Sequence, residues 1–268
     1  MPELPELENI ASKLTERLQG ESILEVRVLD HLVIHGLPVE KFLSGFDGEV
    51  FQEFRADGKF LIGEMKESTI VINPMLTGRF HLVAKREKRS SKSDILFIKT
   101  KDYTLWYSDR KRMSRVYRIP NGEYQSVAGF LNRGPSALDP VITLDEFKAR
   151  IRRHNGQIKN VLQNQNFVKG IGNAYADEIL LYAGILPFRK RSSLSDEEIE
   201  RLFHAMQKVL RRILELLSRR GINEIAKETR DFLMVHGRGG KMCPLCGGRI
   251  SEITANRFKT NYCQACQK

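Results

Sequence analysis

The chain has 268 residues, enough at roughly 150 residues per domain for one or two domains with a full hydrophobic core. Lys and Arg outnumber Asp and Glu 44 to 33, a formal net charge of +11, which favours a polyanionic partner, nucleic acid before a membrane surface. A composition 41% hydrophobic and 29% charged excludes a disordered tail protein. No apolar run approaches the ~20 residues of a membrane helix, and the acidic start MPELPELENI lacks the apolar stretch of a secretory signal. A cytoplasmic chain with reduced thiols is expected, in which clustered cysteines bind metal rather than pair.

Residues 3 to 20 predict an amphipathic helix, with Leu7, Ile10, Ala11, Leu14 and Leu18 on one face and Gly20 closing it. From Ile23 to about Phe130 short runs rich in Val, Ile and Phe, such as KFLIGEM, TIVIN and TLWYS, alternate with Gly, Asp, Asn and Ser turns. This texture predicts an antiparallel sandwich or barrel of roughly eight strands. Residues 131–140, LNRGPSALDP, have no periodicity and read as an interdomain linker. Helices follow. Thr143 with Glu146 and Ser195 with Glu198 are capping boxes opening helices at 143–154 and 195–220, and two shorter helices are expected near 158–165 and 174–182.

Cys243-x2-Cys246 and Cys263-x2-Cys266, separated by sixteen residues, match a four-thiolate zinc ribbon on a β-hairpin. With four protein ligands the one expected zinc is structural, and no thiol remains for catalysis. Between Lys85 and Arg118 lie twelve Lys or Arg against four Asp or Glu. Within it, Arg110 to Arg115 mixes cations with the apolar Met113, the pattern of a phosphate clamp with an intercalating wedge, whereas Lys85–Lys92 reads as a solvated hairpin tip. The turn Gly170-Ile-Gly172-Asn173 before a helix suits close phosphate approach, although such a turn is also an ordinary helix connection.

The hexapeptide Met1-Pro2-Glu3-Leu4-Pro5-Glu6 supports two readings. Removal of Met1 would leave Pro2 as a secondary amine, able to condense with an aldehyde to an iminium ion, with Glu3 and Glu6 supplying acid/base carboxylates. Proline and acids are equally the ordinary chemistry of a helix start.

MPELPE at the start, Lys59 in RADGKFL, the GIGNAYADEIL turn-helix and the C-terminal four-cysteine finger, in this order over essentially the whole chain, resemble the formamidopyrimidine-DNA glycosylase / endonuclease VIII family. The resemblance implies an α+β protein of two domains. These are an N-terminal antiparallel β-sandwich with flanking helices (1–130), then, after the linker, a helix–two-turn–helix domain (141–236) with a β-hairpin zinc finger (237–268), and damaged double-stranded DNA held by a monomer. It implies Pro2 as nucleophile at C1′, Glu3 as acid/base for sugar-ring opening, Glu6 as its supporting carboxylate and Lys59 as a hairpin lysine beside the lesion. Gly170, Gly172 and Asn173 would form a phosphate clamp, and Arg112 would fill the gap left by the flipped base.

Several positions depart from the family pattern. Asn73-Pro-Met-Leu-Thr-Gly78 replaces the usual void-filling segment, and spacing to Gly78 favours Leu76 over Met75 as the plug. Met113 stands for an aromatic wedge, the segment between the long helix and the finger is short, and Phe258 occupies the finger's arginine slot with Arg257 beside it. Reaction class, a glycosylase with AP lyase activity on oxidised bases, is therefore better defined than the lesion. The alternatives are a DNA-binding member with reduced catalysis that recognises abasic or distorted DNA, and a zinc-ribbon RNA or ribosome factor, which would have no need of the Pro-Glu start.

Overall fold

The computed structural model describes residues 1–85, 89–255 and 258–268. The chain divides into two compact units, Met1–Asn132 with Leu216–Glu228, and Arg133–Glu215 with Thr229–Lys268. Among the described residues no helix is long and apolar enough to cross a membrane.

In the first unit, α1 (Leu4–Leu18) buries Leu4, Leu7, Ile10, Ala11, Leu14 and Leu18, and each such leucine stabilises by about 2 kcal/mol. β1 (Glu25–Val28) leads to a short helix absent from the sequence reading, α2 (Val39–Ser44), which buries Phe42. Seven further strands follow: β2 (Phe51–Asp57), β3 (Phe60–Met65), β4 (Ser68–Asn73), β5 (Gly78–Ala84), β6 (Asp94–Lys99), β7 (Tyr103–Asp109) and β8 (Arg115–Pro120). They form two four-stranded antiparallel sheets, in the orders β1-β6-β7-β5 and β2-β3-β4-β8. Strand alternation sends Phe80 and Leu82 inward from β5 while Arg79, His81 and Val83 face out. Residues from both sheets and α1 share one core, including Leu7, Phe54, Ile72, Phe80, Leu96 and Tyr107. The outer face of β2-β3-β4-β8 is covered by Val127, Phe130 and Tyr124.

Two features differ from the sequence reading here. The strands flanking the basic run at 85–92, β5 and β6, are not paired with each other, because β7 lies between them; residues 86–88, at the centre of the expected hairpin tip, lie outside the described residues. Residues 216–228, expected in the helical domain, group with the first unit because Ile222 and Ile225 pack on the sandwich core.

The second unit holds α3 (Leu144–Ile151), α4 (Ile158–Gln163), α5 (Asn173–Ala183), α6 (Asp196–Ser218, its last turn counted with the first unit) and the hairpin of β9 (Ile250–Ala255) and β10 (Phe258–Cys263). The Ser195–Glu198 capping box forms in full, with Glu198 N–H donating to Ser195 Oγ at 3.3 Å and Ser195 N–H to Glu198 Oε2 at 2.9 Å, while Thr143 caps α3 by accepting from Glu146 N–H at 3.1 Å. The residues read as a linker, 131–140, are mostly integral to this unit. Gly134 N–H donates to Gln165 O at 2.8 Å, Ala137 N–H to Lys169 O at 3.1 Å, and Ala137 is fully buried. A Cβ on Gly134 would lie 2.2 Å from Phe167 O, so the segment packs too closely to be a free tether.

Candidate active site and nucleic-acid interface

At the start of α1, Pro2 is buried and Glu3 is 2% exposed. Glu3 is the N-cap, and its N–H donates to Glu6 Oε2 at 3.0 Å. Glu6 therefore works as a helix cap, which fixes the backbone around Pro2 and Glu3. Lys59 lies in the two-residue turn Gly58-Lys59 between β2 and β3, where Gly58 takes φ +63°. Burial pushes the Lys59 ammonium below its usual range, and the charge of Glu3 pulls it back up. The fold thus brings Lys59 within electrostatic reach of Glu3, the neighbour of Pro2, from a separate part of the sequence. The amine of Met1 pairs with Glu228 Oε1 at 2.6 Å, and Glu228 also binds Arg79.

The sequence reading passed over Glu8. It lies on the stripe of Leu4, Ala11 and Leu18, a polar residue at an apolar helical position, which is the signal that singles it out. Burial first, then the negative charge of Asp57, push its carboxyl from the ordinary 4.5 up to about 7, against the opposing pull of Arg55. The folded protein holds this proton more tightly than the unfolded chain does. The associated stabilisation is complete below pH 4.5 and is lost as pH rises to about 7. Replacing Glu8 with Gln, which mimics the protonated acid, is expected to raise stability above pH 7 by about 2 kcal/mol and to flatten that pH dependence. Urea melts of both proteins at pH 4.5, 6 and 8 check this; parallel profiles would show that Glu8 does not titrate there.

Two loops meet at the end of the sandwich. In residues 73–78, Met75 takes φ +47° and is half-buried, and Leu76 is 40% exposed. In residues 109–114, Arg112 takes φ +51° and Met113 is 42% exposed. Arg112 Nε pairs with the Asp30 carboxylate and its Nη2 donates to Lys92 O at 3.3 Å. The guanidinium is thus stored on the protein's own surface.

In the second unit, Gly170 adopts φ +103° and its N–H donates to Gln165 Oε1 at 2.9 Å. Gly172 caps α5, and Asn173 Nδ2 donates to Lys259 O at 2.9 Å. Lys159 Nζ reaches the same carbonyl at 3.1 Å, Thr260 Oγ1 at 2.8 Å and the buried Asp177 Oδ1 at 2.7 Å. Asp177 Oδ2 also meets His236 Nδ1 at 2.7 Å and accepts from Asn261 N–H at 3.1 Å. These contacts fasten the hairpin to the Gly170–Asn173 turn. Phe258 opens β10 and is 60% exposed, while Arg257 lies outside the described residues.

The thiol sulfurs of Cys243, Cys246, Cys263 and Cys266 all lie within 4.8 Å of one another. Cys246 and Cys263 are 3.5 Å apart, Cys243 and Cys266 3.9 Å. A tetrahedron of zinc–sulfur bonds of about 2.3 Å has edges of about 3.8 Å, so the cluster fits a metal ion of that kind. Gly248 N–H points at Cys246 Sγ at 3.4 Å, a donor suited to a thiolate ligand.

Residues 1–116 match the formamidopyrimidine-DNA glycosylase N-terminal domain and residues 133–223 the formamidopyrimidine-DNA glycosylase H2TH domain. The chain belongs to the formamidopyrimidine-DNA glycosylase family. A formamidopyrimidine-DNA glycosylase of Listeria innocua is 31% identical over 100% of both chains, and one of Pelotomaculum thermopropionicum is 30% identical over 100% of this chain and 99% of its own. Among solved structures, Lactococcus lactis Fpg in complex with abasic-site DNA superposes with a TM-score of 0.89 at 26% identity, covering 99% of each chain. The same protein with DNA containing N7-benzyl-Fapy-dG gives 0.89 at 26% identity over 100% of each. The two-domain α+β architecture expected from the sequence is that of this family.

Proposed function

We propose that this member of the family is a bifunctional DNA glycosylase/AP lyase that removes oxidised, formamidopyrimidine- or 8-oxoguanine-like bases from double-stranded DNA and nicks the strand by elimination. The observation that supports the reading is the buried Glu3, next to Pro2 in the chain, acting electrostatically on the half-buried Lys59. With Met1 removed, the Pro2 nitrogen is a secondary amine. It attacks C1′, the N–C1′ bond forms, and the base leaves with a proton. Glu3, shielded from water, delivers a proton to the sugar ring oxygen as the ring opens to an iminium ion. Loss of a C2′ proton then expels the 3′ phosphate. Lys59 offers a cation to the phosphate beside the lesion.

Leu76, Arg112 and Met113 would fill the space vacated by the flipped base. Gly170, Gly172 and Asn173 would grip the backbone, with Phe258 or Arg257 contributing from the finger. The four cysteines would hold one zinc ion, which supplies folding energy to the finger and takes no part in the chemistry.

The test is a nicking panel of duplexes carrying 8-oxoguanine, a formamidopyrimidine, an oxidised pyrimidine or an abasic site. Cleavage of the abasic duplex and of at least one oxidised-base duplex, with undamaged DNA intact, is expected. Tight binding to abasic DNA with no cleavage of any duplex would instead identify a binding member of the family.

A further inference from the structure

We propose that Asp109 and Thr77 are positioning residues that lock the 73–78 and 109–114 loops into a single insertion element, so that Leu76 and Met113 act on the base stack as one unit. This rests on the assignment of these loops to the space left by a flipped base.

Asp109 ends β7 directly opposite Gly78, the first residue of β5. Its side chain is fully buried in the middle of a strongly basic stretch, yet among the described residues its carboxylate forms no ion pair with a neighbouring cation. Every contact instead organises backbone or a hydroxyl. Oδ2 accepts from Met113 N–H at 2.7 Å, Ser114 N–H at 2.8 Å and Ser114 Oγ at 2.8 Å. Oδ1 accepts from Lys111 N–H at 3.1 Å and from Thr77 Oγ1 of the other loop. Thr77 Oγ1 accepts in turn from Lys111 N–H at 3.0 Å. One carboxylate and one hydroxyl therefore define the backbone of the 109–114 loop and tie it to the 73–78 loop. Burial favours protonation of Asp109, but the donors of Thr77, Ser114 and Lys111 outweigh it and hold the carboxyl below its usual range.

What the lock holds is strained. Met75 and Arg112 are two of the three non-glycine residues with positive φ among the described residues, one in each loop. Such conformations cost of order 1–3 kcal/mol each and persist only where surrounding contacts over-determine them. Gly78 permits the close approach: a Cβ there would fall 2.2 Å from Tyr107 Oη and 2.5 Å from Pro74 O. Leu76 and Met113, at 40% and 42% exposure, are the apolar side chains these two frames present to solvent. An apolar wedge is useful against stacked bases only if it does not yield when pushed, and two wedges braced through a buried carboxylate resist together.

The test is a double-mutant cycle on excision of an oxidised base, with kcat/KM as the readout. In the otherwise unaltered protein, Leu76→Ala and Met113→Ala are expected to be non-additive by at least threefold, because losing either wedge disables the shared element. In a Thr77→Val background, which cuts the cross-loop bond and leaves the Asp109 contacts to Met113 and Ser114, the same pair should become additive. Thr77→Ser, which keeps the hydroxyl, should restore the coupling. Cleavage of a duplex with a preformed abasic site, which has no base to flip, should change less than threefold with Thr77→Val. Additive effects in the starting protein, or coupling that survives Thr77→Val, would overturn the proposal. A protein that cleaves neither substrate before any substitution would instead remove the functional reading on which it rests.

Discussion

Borohydride is expected to trap a covalent adduct between abasic-site DNA and this protein at the nitrogen of Pro2. Condensation of a secondary amine with the C1′ aldehyde expels water and leaves an iminium ion, and hydride addition to its C=N bond makes the link permanent. An α-amino group has a pKa near ~8, so an appreciable fraction is unprotonated at neutral pH. An amide nitrogen has no such lone pair. The effect of the N-terminus should therefore be all or nothing: protein starting at Pro2, verified by intact mass, traps DNA, and protein retaining Met1 does not. Pro2→Gly keeps a primary amine but loses the ring that orients it, and should reduce the trapping rate by about a hundredfold. Peptide mapping of the adduct decides the matter. Linkage to Lys59 or to the Met1 amine, which here pairs with Glu228, would show that the nucleophile is misassigned.

Glu3 explains why this end of the chain reads two ways in the sequence. A carboxylate at a helix start and a catalytic acid require the same residue type at the same place, and the fold uses Glu3 as N-cap with Glu6 holding its N–H. Periodicity cannot separate these roles. What distinguishes Glu3 is its 2% exposure and the proximity of Lys59, both products of tertiary packing.

Elements that depend on local pattern were legible. The stripe of α1, the N-cap at Thr143, the capping box at Ser195 and the cysteine spacing of the finger each follow from short-range geometry. The six residues of α2 carry too few turns for a stripe to register. Asp109 was hidden by the charges around it. Within DRKRMSR it counts as one negative charge among positives, whereas its role comes from being buried with donors from two loops converging on it. Residues 216–228 join the first unit only because Ile222 and Ile225 find a core distant in sequence. Long-range packing of that kind leaves no periodic trace.

Removal of zinc should have the second largest effect, and it should be confined to one end of the chain. The cluster that supports the finger consists of Leu181, Val235, Ile250 and two of the cysteines themselves, Cys243 and Cys263. Three aliphatic side chains are a small core for the finger, so on the proposed reading the folding energy of a zinc ion bound by the four thiolates is what keeps it folded. Chelation to verified zinc loss, or Cys246→Ser, should therefore melt β9 and β10. With β10 gone, Lys259 O is no longer held by Asn173 and Lys159, and Asp177 loses Asn261. Binding to damaged duplex is expected to fall at least tenfold, while the two sheets of the first unit, which share no residue with this network, keep their cooperative unfolding transition. Hydrogen exchange read by mass spectrometry separates the outcomes: loss of protection in 239–268 together with retained protection in 51–120 agrees with this account. Full protection of the finger after metal removal, or DNA affinity unchanged within twofold, would mean that the hairpin stands on the Asp177 network alone and that the four thiols serve another purpose.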